Sequence, residues 1–250
     1  MTDTVFRASG LTKRYGGAAA LDGLDLQLTA GRIYALLGDP GSGRTTLLRC
    51  AAGLVKPDSG EVEILGETGD AIYAARHQVG MLIDGPALYR DLSIRNNLKL
   101  QGRILGDLPK GRIGKLMKAL AITPRDTGNR TVGGCPAGLK MKCAIAMALL
   151  PFPRLLLLDE VFGGLDTDDS ALFVDLIKAE MEERPMTTLI TGQFFAELYP
   201  FATDYLLLEK GRIVRSYTRE ELQARIPEDL QRAQELEDAF KTIRKEDLGA

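Results

Sequence analysis

The chain has 250 residues, of which 45% are hydrophobic, and a formal net charge of -2. This length suffices for one large domain with or without a subdomain, and the small net charge gives no sign of nucleic-acid binding. No apolar run is as long as a membrane span, and the first residues show no signal-peptide pattern. The three cysteines lack metal-ligand spacing and are expected to be free thiols in a reducing cytosol.

The N-terminal part of the chain is predicted to form β-strands. Residues 5–8 and 24–28 are short apolar runs, and the second alternates apolar with polar residues, as a half-buried strand does. Residues 33–37 are apolar throughout, which predicts a buried strand. Tyr15 lies between the first two strands, where it could stack on an adenine ring or lie half-buried in a loop.

A glycine-rich loop follows the buried strand. Residues 38–46 read GDPGSGRTT and precede a predicted helix at residues 47–52. Their spacing fits the phosphate-binding pattern G-x-x-x-x-G-K-[ST], except that Arg44 brings a broader, planar cation to the lysine position. Glycines let the backbone N–H groups turn inward, and a helix N-terminus favours an anion. The candidate phosphate-binding residues are Gly38, Gly41, Ser42, Gly43, Arg44, Thr45 and Thr46.

The middle of the chain is predicted to be mainly helical. Residues 86–154 show helical periodicity and few strand signals, with Ser93 as a predicted N-cap before a helix at residues 94–104. A second helix is predicted at residues 113–121, so this part is interpreted as a helical subdomain inserted into an α/β core. The strands predicted before it are residues 61–66 and 79–83.

An apolar run at residues 155–158 ends in Asp159 and Glu160. Two carboxylates at the end of a buried strand suit a Mg²⁺ site, in which Asp159 would hold the metal and Glu160 would polarise an attacking water. The alternative is a strand that ends in two solvated acids, but the glycine-rich loop upstream favours the metal site. Beyond these acids the sequence predicts strands at residues 187–191, 205–208 and 213–215, and amphipathic helices after Pro227, within residues 219–247, that pack on the chain itself or on a dimer mate.

With these motifs in this order, the sequence resembles the ATP-binding subunit of ABC transporters over nearly its whole length. Residues 38–46 are similar to the Walker A motif, and residues 155–160 to the Walker B motif with its catalytic glutamate. Tyr15 falls at the position of the adenine-stacking aromatic, and residues 164–166 match the D-loop. Residues 86–98 are similar to the segment after the Q-loop in bacterial drug and antimicrobial-peptide exporters.

The resemblance implies a fold as well as a function. The implied fold is an α/β P-loop NTPase, in which an ABC ATPase-type core sheet carries an inserted helical subdomain and an N-terminal antiparallel β-subdomain. Residues 1–84 and 155–217 would form the core, residues 85–154 the helical subdomain with the signature, and residues 218–250 a C-terminal helical extension.

The resemblance also implies ligands and partners. ATP and Mg²⁺ are the implied cofactors, with Thr45, Asp159 and Asp84 at the metal, and Gly138 and Asp166 among the residues that contact nucleotide. The implied partners are a transmembrane subunit and a second ATP-binding subunit, in a homodimer or a heterodimer. The chain would then be cytoplasmic, and peripheral on the inner face of the cell membrane through the membrane subunits.

Four motifs depart from the family pattern. Arg44 replaces the Walker A lysine, Asp84 the Q-loop glutamine and Gln193 the switch histidine. The fourth motif, residues 135–139, reads CPAGL where the family has the signature LSGGQ. In this family two subunits enclose ATP between them, so the signature of one chain faces the phosphate-binding loop of its partner. This loop, residues 38–46 in this chain, is called the P-loop below.

These replacements change the chemistry available to the site. Pro136 lacks both a hydroxyl and an N–H donor, and Ala137 adds a Cβ where the backbone should meet phosphate, while Gly138 is retained. Asp84 could still ligate Mg²⁺. Gln193 can donate a neutral hydrogen bond to a γ-phosphate but cannot share a proton as histidine can.

The departures predict reduced turnover and leave two interpretations open. The chain is either a slow ATPase subunit of an exporter, with Glu160 and Gln193 as catalytic residues, or a regulatory or scaffolding subunit that binds nucleotide weakly or not at all. A soluble ABC protein of translation or repair is less favoured, because such proteins usually carry tandem cassettes or long insertions. Substitution of Glu160 separates the first two, since only a working site loses turnover.

Overall fold

The computed structural model describes residues 3–106, 108–126, 130–227, 229–230 and 232–249. No helix in this part of the chain is both long and apolar enough to cross a membrane. The strands are β1 (Thr4–Tyr15), β2 (Ala18–Thr29), β3 (Ile33–Leu37), β4 (Ser59–Ile64), β5 (Glu67–Thr68), β6 (Val79–Leu82), β7 (Leu155–Leu158), β8 (Thr187–Thr191), β9 (Asp204–Glu209) and β10 (Arg212–Thr218). The α-helices are α1 (Arg44–Ala51), α2 (Ile72–Ala75), α3 (Ile94–Leu105), α4 (Arg112–Ala119), α5 (Ala137–Leu149), α6 (Thr167–Glu183), α7 (Phe195–Leu198), α8 (Arg219–Gln223) and α9 (Ala233–Leu248).

The larger sheet has six strands in the order β10-β9-β3-β8-β7-β6. The strands from β9 to β6 are parallel, and β10 adds an antiparallel edge. Every residue of β3, β7 and β8 is buried, as expected for parallel strands that are covered on both faces. The carboxyl ends of these three neighbours meet at one edge of the sheet, and the loops that carry most of the predicted site residues begin there.

The smaller sheet is antiparallel, in the order β2-β1-β4-β5. One apolar core joins it to α1 and one face of the large sheet, and a second core joins the opposite face to the longer helices. This arrangement confirms the predicted fold class, including the N-terminal antiparallel β-subdomain. β1 and β2 have 12 residues each. They are longer than predicted because register shifts on both sides of Leu11 break the alternation on which the prediction relied.

Among the described residues, the α-helices α3, α4 and α5 lie between β6 and β7. Ser93 is the N-cap of α3, as predicted, and its hydroxyl accepts a hydrogen bond from the backbone N–H of Asn96 at 3.3 Å. The second helix, α4, ends at Ala119 rather than at the predicted residue 121. The reason is that Ala121 adopts a left-handed conformation with φ 49°, which a right-handed helix cannot continue through.

In the described C-terminal residues one α-helix, α8, lies before Pro227 and one, α9, lies after it, whereas the sequence analysis predicts several helices after Pro227 and none before it. α9 packs on the chain itself, where the Phe240 ring stacks on Phe195 with their centroids 4.2 Å apart. The helix before Pro227, α8, begins with a capping box. The Thr218 hydroxyl accepts from the N–H of Glu221, and the Glu221 carboxylate accepts from the N–H of Thr218. The T-x-x-E spacing was a signal for this helix in the sequence.

The three cysteines are free and buried, which confirms the expectation of free thiols. Burial raises the pKa of Cys50, on α1, to about 11 and that of Cys143, on α5, to about 12. Because the thiolate is the nucleophilic form, these two thiols are expected to be inert at neutral pH.

Candidate functional site

The glycine-rich loop runs from β3 into α1 and depends on two glycines for its shape. A Cβ on Gly38 would lie 2.4 Å from the carbonyl oxygen of Leu208, and one on Gly43 would lie 2.2 Å from the carbonyl oxygen of Ala20. Gly43 also has φ 110°, outside the range of residues with a Cβ. The loop encloses a cavity of about 370 Å³, which is lined by Ala20, residues 39–46 and Glu160.

Replacing Gly43 with alanine is expected to destabilise the chain and to remove nucleotide binding, because the added methyl strikes the backbone of β2. The conformational strain alone is about 1–3 kcal/mol. Chemical denaturation and ADP titration of the purified chain measure the two effects. Gly114→Ala on α4, where a Cβ meets no atom within 4 Å, is the control and should leave ADP binding unchanged while raising the unfolding free energy by up to about 1 kcal/mol, because alanine favours a helix over glycine. Equal behaviour of the two variants would contradict the steric argument.

Arg44 and Glu160 form an ion pair across this cavity. The Nη2 of Arg44 donates to Oε1 of Glu160 at 2.6 Å. The Arg44 side chain is only 7% exposed, whereas that of Glu160 is 55% exposed. The second terminal nitrogen of Arg44, Nη1, is buried and has no hydrogen-bond partner within the described part of the chain. An unpaired buried donor is costly, so the guanidinium can gain from an anionic oxygen that enters the cavity.

Asp159 lies beside this pair and accepts two hydroxyl hydrogen bonds. Thr45 Oγ1 donates to its Oδ2 at 2.9 Å, and Thr191 Oγ1 donates to its Oδ1 at 2.6 Å. The Thr191 hydroxyl also accepts a hydrogen bond from the backbone N–H of Glu160 at 2.9 Å. Thr191 is the last residue of β8 and belongs to no sequence motif. The position of β8 next to β7, which the sequence does not reveal, is what brings it to the acids.

The Thr45–Asp159 pair suits Mg²⁺ by the chemistry of its donors. A hydroxyl and a carboxylate are both hard oxygen ligands, and Mg²⁺ is usually held by one or two such groups together with substrate phosphates. The described residues contain no cluster of three or more His, Cys, Asp or Glu side chains that could hold a metal ion alone. The residues present therefore fit a metal that arrives with a nucleotide.

A glycine-rich loop with a cation, a hydroxyl and two acids at its mouth is the arrangement expected for a nucleotide triphosphate site. Residues 21–163 match the model of the ABC transporter family, which is more than half of the chain. The chain belongs to the ABC transporter family. It is an ATP-binding subunit of an ABC transporter, as the resemblance implied.

Three relatives illustrate the match to this ABC protein. The daunorubicin resistance ATP-binding protein DrrA3 of Streptomyces coeruleorubidus is 34% identical over 90% of this chain and 71% of its own length. The bacitracin transport ATP-binding protein BcrA of Bacillus licheniformis is 30% identical over 89% of this chain and 72% of its own length. A probable sulfate/thiosulfate import ATP-binding protein of Chlorella vulgaris is 31% identical over 85% of this chain and 90% of its own length.

Solved structures agree on the fold of the ABC cassette. A dimeric bacterial ABC transporter cassette covers 86% of this chain and 98% of its own length, with a TM-score of 0.79 and 23% identity. The ATP-binding subunit of another ABC transporter covers 93% of this chain and 97% of its own length, with a TM-score of 0.79 and 21% identity. Both therefore share the arrangement of sheets and helices described above.

The Q-loop position of this ABC protein is tied to α1 rather than to the acids. Both carboxylate oxygens of Asp84 are bound by Arg49, with Nε–Oδ2 at 2.9 Å and Nη2–Oδ1 at 2.5 Å. The hydrogen bond to Asp84 is the main reason why the pKa of Arg49 is raised. Asp84 does not line the cavity of the P-loop. The carboxylate of Asp84 is therefore paired with Arg49 in this structure, and its place in a metal site stays a prediction.

Two other predicted residues, Tyr15 and Gln193, do not line the cavity of the P-loop. Tyr15, at the end of β1, is 46% exposed, and the Lys13 ammonium lies 5.6 Å from its ring centroid. Gln193 follows β8 and lines a separate cavity of about 210 Å³ together with Gly38 and Asp39. The Tyr15 ring is exposed and therefore free to stack on another ring, as the adenine hypothesis requires.

The signature and D-loop residues form a separate group on the side of α5 and α6. Asp166 is the N-cap of α6 and accepts a hydrogen bond from the N–H of Asp169 at 2.8 Å. Gly138 lies in the first turn of α5, where an added Cβ would be 3.6 Å from Asp169 Oδ2. Pro136 is the N-cap of α5 and makes no side-chain capping bond. None of these residues lines the P-loop cavity of the same chain.

The C-terminal helix reaches the P-loop, which no sequence motif indicated. Arg244 on α9 donates from Nε to Oε1 of Glu209 at 2.9 Å and from Nη2 to Oδ2 of Asp39 at 3.4 Å. Glu237 of the same helix accepts from the N–H of Ala196 at 2.7 Å, close after Gln193 in the chain. In the sequence these charges were indistinguishable from a solvated helix face.

Proposed function

We propose that this chain binds ATP together with Mg²⁺ and hydrolyses it slowly, as the motor subunit of an exporter. The observation that carries the proposal is that Arg44, Thr45 and Glu160 line the cavity of the P-loop and that Asp159 is hydrogen-bonded to Thr45 beside it. Each of these side chains belongs to a motif that the sequence analysis assigned to phosphate or metal binding. This arrangement supports a working site over a scaffold that has lost nucleotide.

The P-loop residues would hold the phosphates. The N-terminus of α1 and the backbone N–H groups of the loop attract an anion, and the close packing around Gly38 and Gly43 preserves their direction. Arg44 would donate its unpaired Nη1 to a phosphate oxygen while Nη2 stays on Glu160 or leaves it. Tyr15 would stack on the base.

Thr45 and Asp159 are the residues that would hold Mg²⁺, and when bound the metal would neutralise charge on the terminal phosphates. Glu160 would accept the proton of the attacking water, and Gln193 would donate a neutral hydrogen bond to the γ-phosphate. Because one carboxylate oxygen of Glu160 is already bound by Arg44, the general base is only partly available. This supports a lower rate than that of a cassette with lysine at this position.

A second ATP-binding subunit would complete the site. Gly138 and the N-terminus of α5 stand outside the cavity of their own chain, so a second copy or a paralogue would have to present this surface to the phosphates. A transmembrane subunit would place the cassette on the cytoplasmic face of the membrane. The relatives named for daunorubicin resistance and bacitracin transport support drug-like or peptide cargo. The export direction rests on the similarity of residues 86–98 to such exporters, whereas the sulfate/thiosulfate relative is named as an import protein.

The proposal is tested by ATP turnover of the membrane complex recovered on this chain, with Glu160→Gln as the variant. Removal of a general base is expected to lower the rate about 100-fold or more. Glu182→Gln, at an exposed position on α6, is the control and should keep the native rate. A native rate that Glu160→Gln leaves unchanged would assign hydrolysis to a partner, and no rate in any complex would assign this chain a regulatory role.

A further inference from the structure

We propose that Thr191 is a positioning residue, which sets the directions of the two acids that follow β7. The proposal rests on the proposed function, because it concerns the same site. Thr191 is fully buried and holds both acids through one hydroxyl. It donates to Asp159 Oδ1 at 2.6 Å and accepts from the backbone N–H of Glu160 at 2.9 Å. No other residue in the described part of the chain is hydrogen-bonded to both acids.

The two hydrogen bonds require a hydroxyl at this position. A hydroxyl offers one donor and two acceptor sites, so it can bind the carboxylate of Asp159 and the N–H of Glu160 together. With Thr45 on the other oxygen, both oxygens of Asp159 are occupied and its carboxylate plane is held from two sides. Rotation of this carboxylate would break one of the two bonds, so the direction of the Oδ2 lone pairs toward Thr45 depends on Thr191.

The backbone at Glu160 gives the second bond its importance. Glu160 has φ 47° and ψ 41°, a left-handed conformation that costs a residue with a Cβ about 1–2 kcal/mol. The hydrogen bond from its N–H to Thr191 helps to hold this conformation, which decides where the side chain leaves the backbone. The Glu160 side chain is half-exposed and, within the described chain, bound only by Arg44. Its direction therefore depends on the backbone conformation of Glu160 itself.

The same strand supplies a matched control. Thr188 is also fully buried on β8, but its hydroxyl has no hydrogen-bond partner among the described residues. Replacement by valine removes one hydroxyl from a buried β8 position in each case and keeps the shape of the side chain. Only at Thr191 does the replacement leave an N–H and a carboxylate oxygen without their partner. Thr191→Ser retains the hydroxyl and is the conservative variant.

The test compares ATP binding by the purified chain, with Mg²⁺ and with EDTA, and kcat and KM of the membrane complex. Thr191→Val is expected to bind ATP in EDTA like the native chain. In this variant the increase in ATP affinity that Mg²⁺ causes should be about tenfold smaller than in the native chain. Its kcat should be about 100-fold lower, as expected for a misplaced general base. KM should change little. Thr191→Ser and Thr188→Val should stay close to native in all three measurements.

Several outcomes would overturn the proposal. Native kcat and native Mg²⁺ dependence in Thr191→Val would do so, and so would equal losses in Thr188→Val. If Thr191→Val does not fold, Thr191→Cys replaces it, because a thiol has similar volume and bonds weakly, and native behaviour of that variant would contradict the role. Failure of the proposed function is distinct, because the native chain itself would then show no Mg²⁺-dependent ATP binding and its complex no turnover.

Discussion

Replacing Arg44 with methionine is expected to weaken ATP binding by this chain on the order of 100-fold. The Nη1 of Arg44, which has no partner among the described residues, can give a phosphate oxygen one charge-assisted hydrogen bond worth about 1.5–3 kcal/mol, or about 10- to 150-fold in affinity. Methionine fills the buried volume with a flexible apolar side chain, so the fold should persist. The partner left behind, Glu160, is half-exposed and can be solvated. Titration with ATP and a thermal melt of the same sample measure the two quantities.

Two further variants give this prediction its controls. Arg7→Met removes an exposed arginine from the small sheet, where it pairs with Glu63, and should leave ATP binding unchanged. Arg44→Lys keeps the charge as a compact ammonium that cannot bridge a phosphate and Glu160 with two planar nitrogens. This variant should bind ATP and turn it over several-fold faster. ATP affinity in Arg44→Met equal to that of the native chain would show that the guanidinium does not contact nucleotide.

Replacing Glu180 with glutamine is expected to cost about 3–5 kcal/mol of unfolding free energy. Glu180 on α6 forms a two-pronged ion pair with Arg112 on α4, with both N–O distances at 2.6 Å. The side chains are 5% and 1% exposed, so the substitution leaves a guanidinium buried without its counter-charge. The Arg112 guanidinium also donates to the carbonyl of Leu149 and lies 3.9 Å from the ring centroid of Phe152. The loss is a large share of the stability of about 5–15 kcal/mol that folded proteins have.

Urea denaturation with a neighbouring variant as control measures this effect. Glu183→Gln, on the same helix, breaks a surface pair with Lys115 and should change the unfolding free energy little, because both side chains are about half exposed. The double variant Arg112→Met with Glu180→Leu should recover most of the loss, since an apolar pair needs no counter-charge. Equal effects of Glu180→Gln and Glu183→Gln would refute the buried-charge argument.

The ends of the elements show where sequence patterns succeed. Residues 33–37 and 187–191 were predicted as strands and coincide with β3 and β8, because uninterrupted apolar or β-branched runs report burial directly. Ser93 was predicted as a cap because capping involves only neighbouring backbone. β1 was predicted too short and α8 was missed. The bulges of β1 interrupt its alternation, and α8 is too short for periodicity to reveal.

The sequence by itself determined the P-loop, the pair of acids after β7, the family and the departures from its motifs. All of these are local patterns, in which a few adjacent residues decide the backbone shape and the chemistry.

Only the tertiary structure decided the partners of those residues. Arg44 meets Glu160 across 116 residues of chain, and Arg244 meets Asp39 across 205. Thr191 is hydrogen-bonded to the acids because β8 lies beside β7, and the carboxylate of Asp84 is hydrogen-bonded to Arg49. Such pairs depend on strand order and side-chain direction, which no short segment encodes.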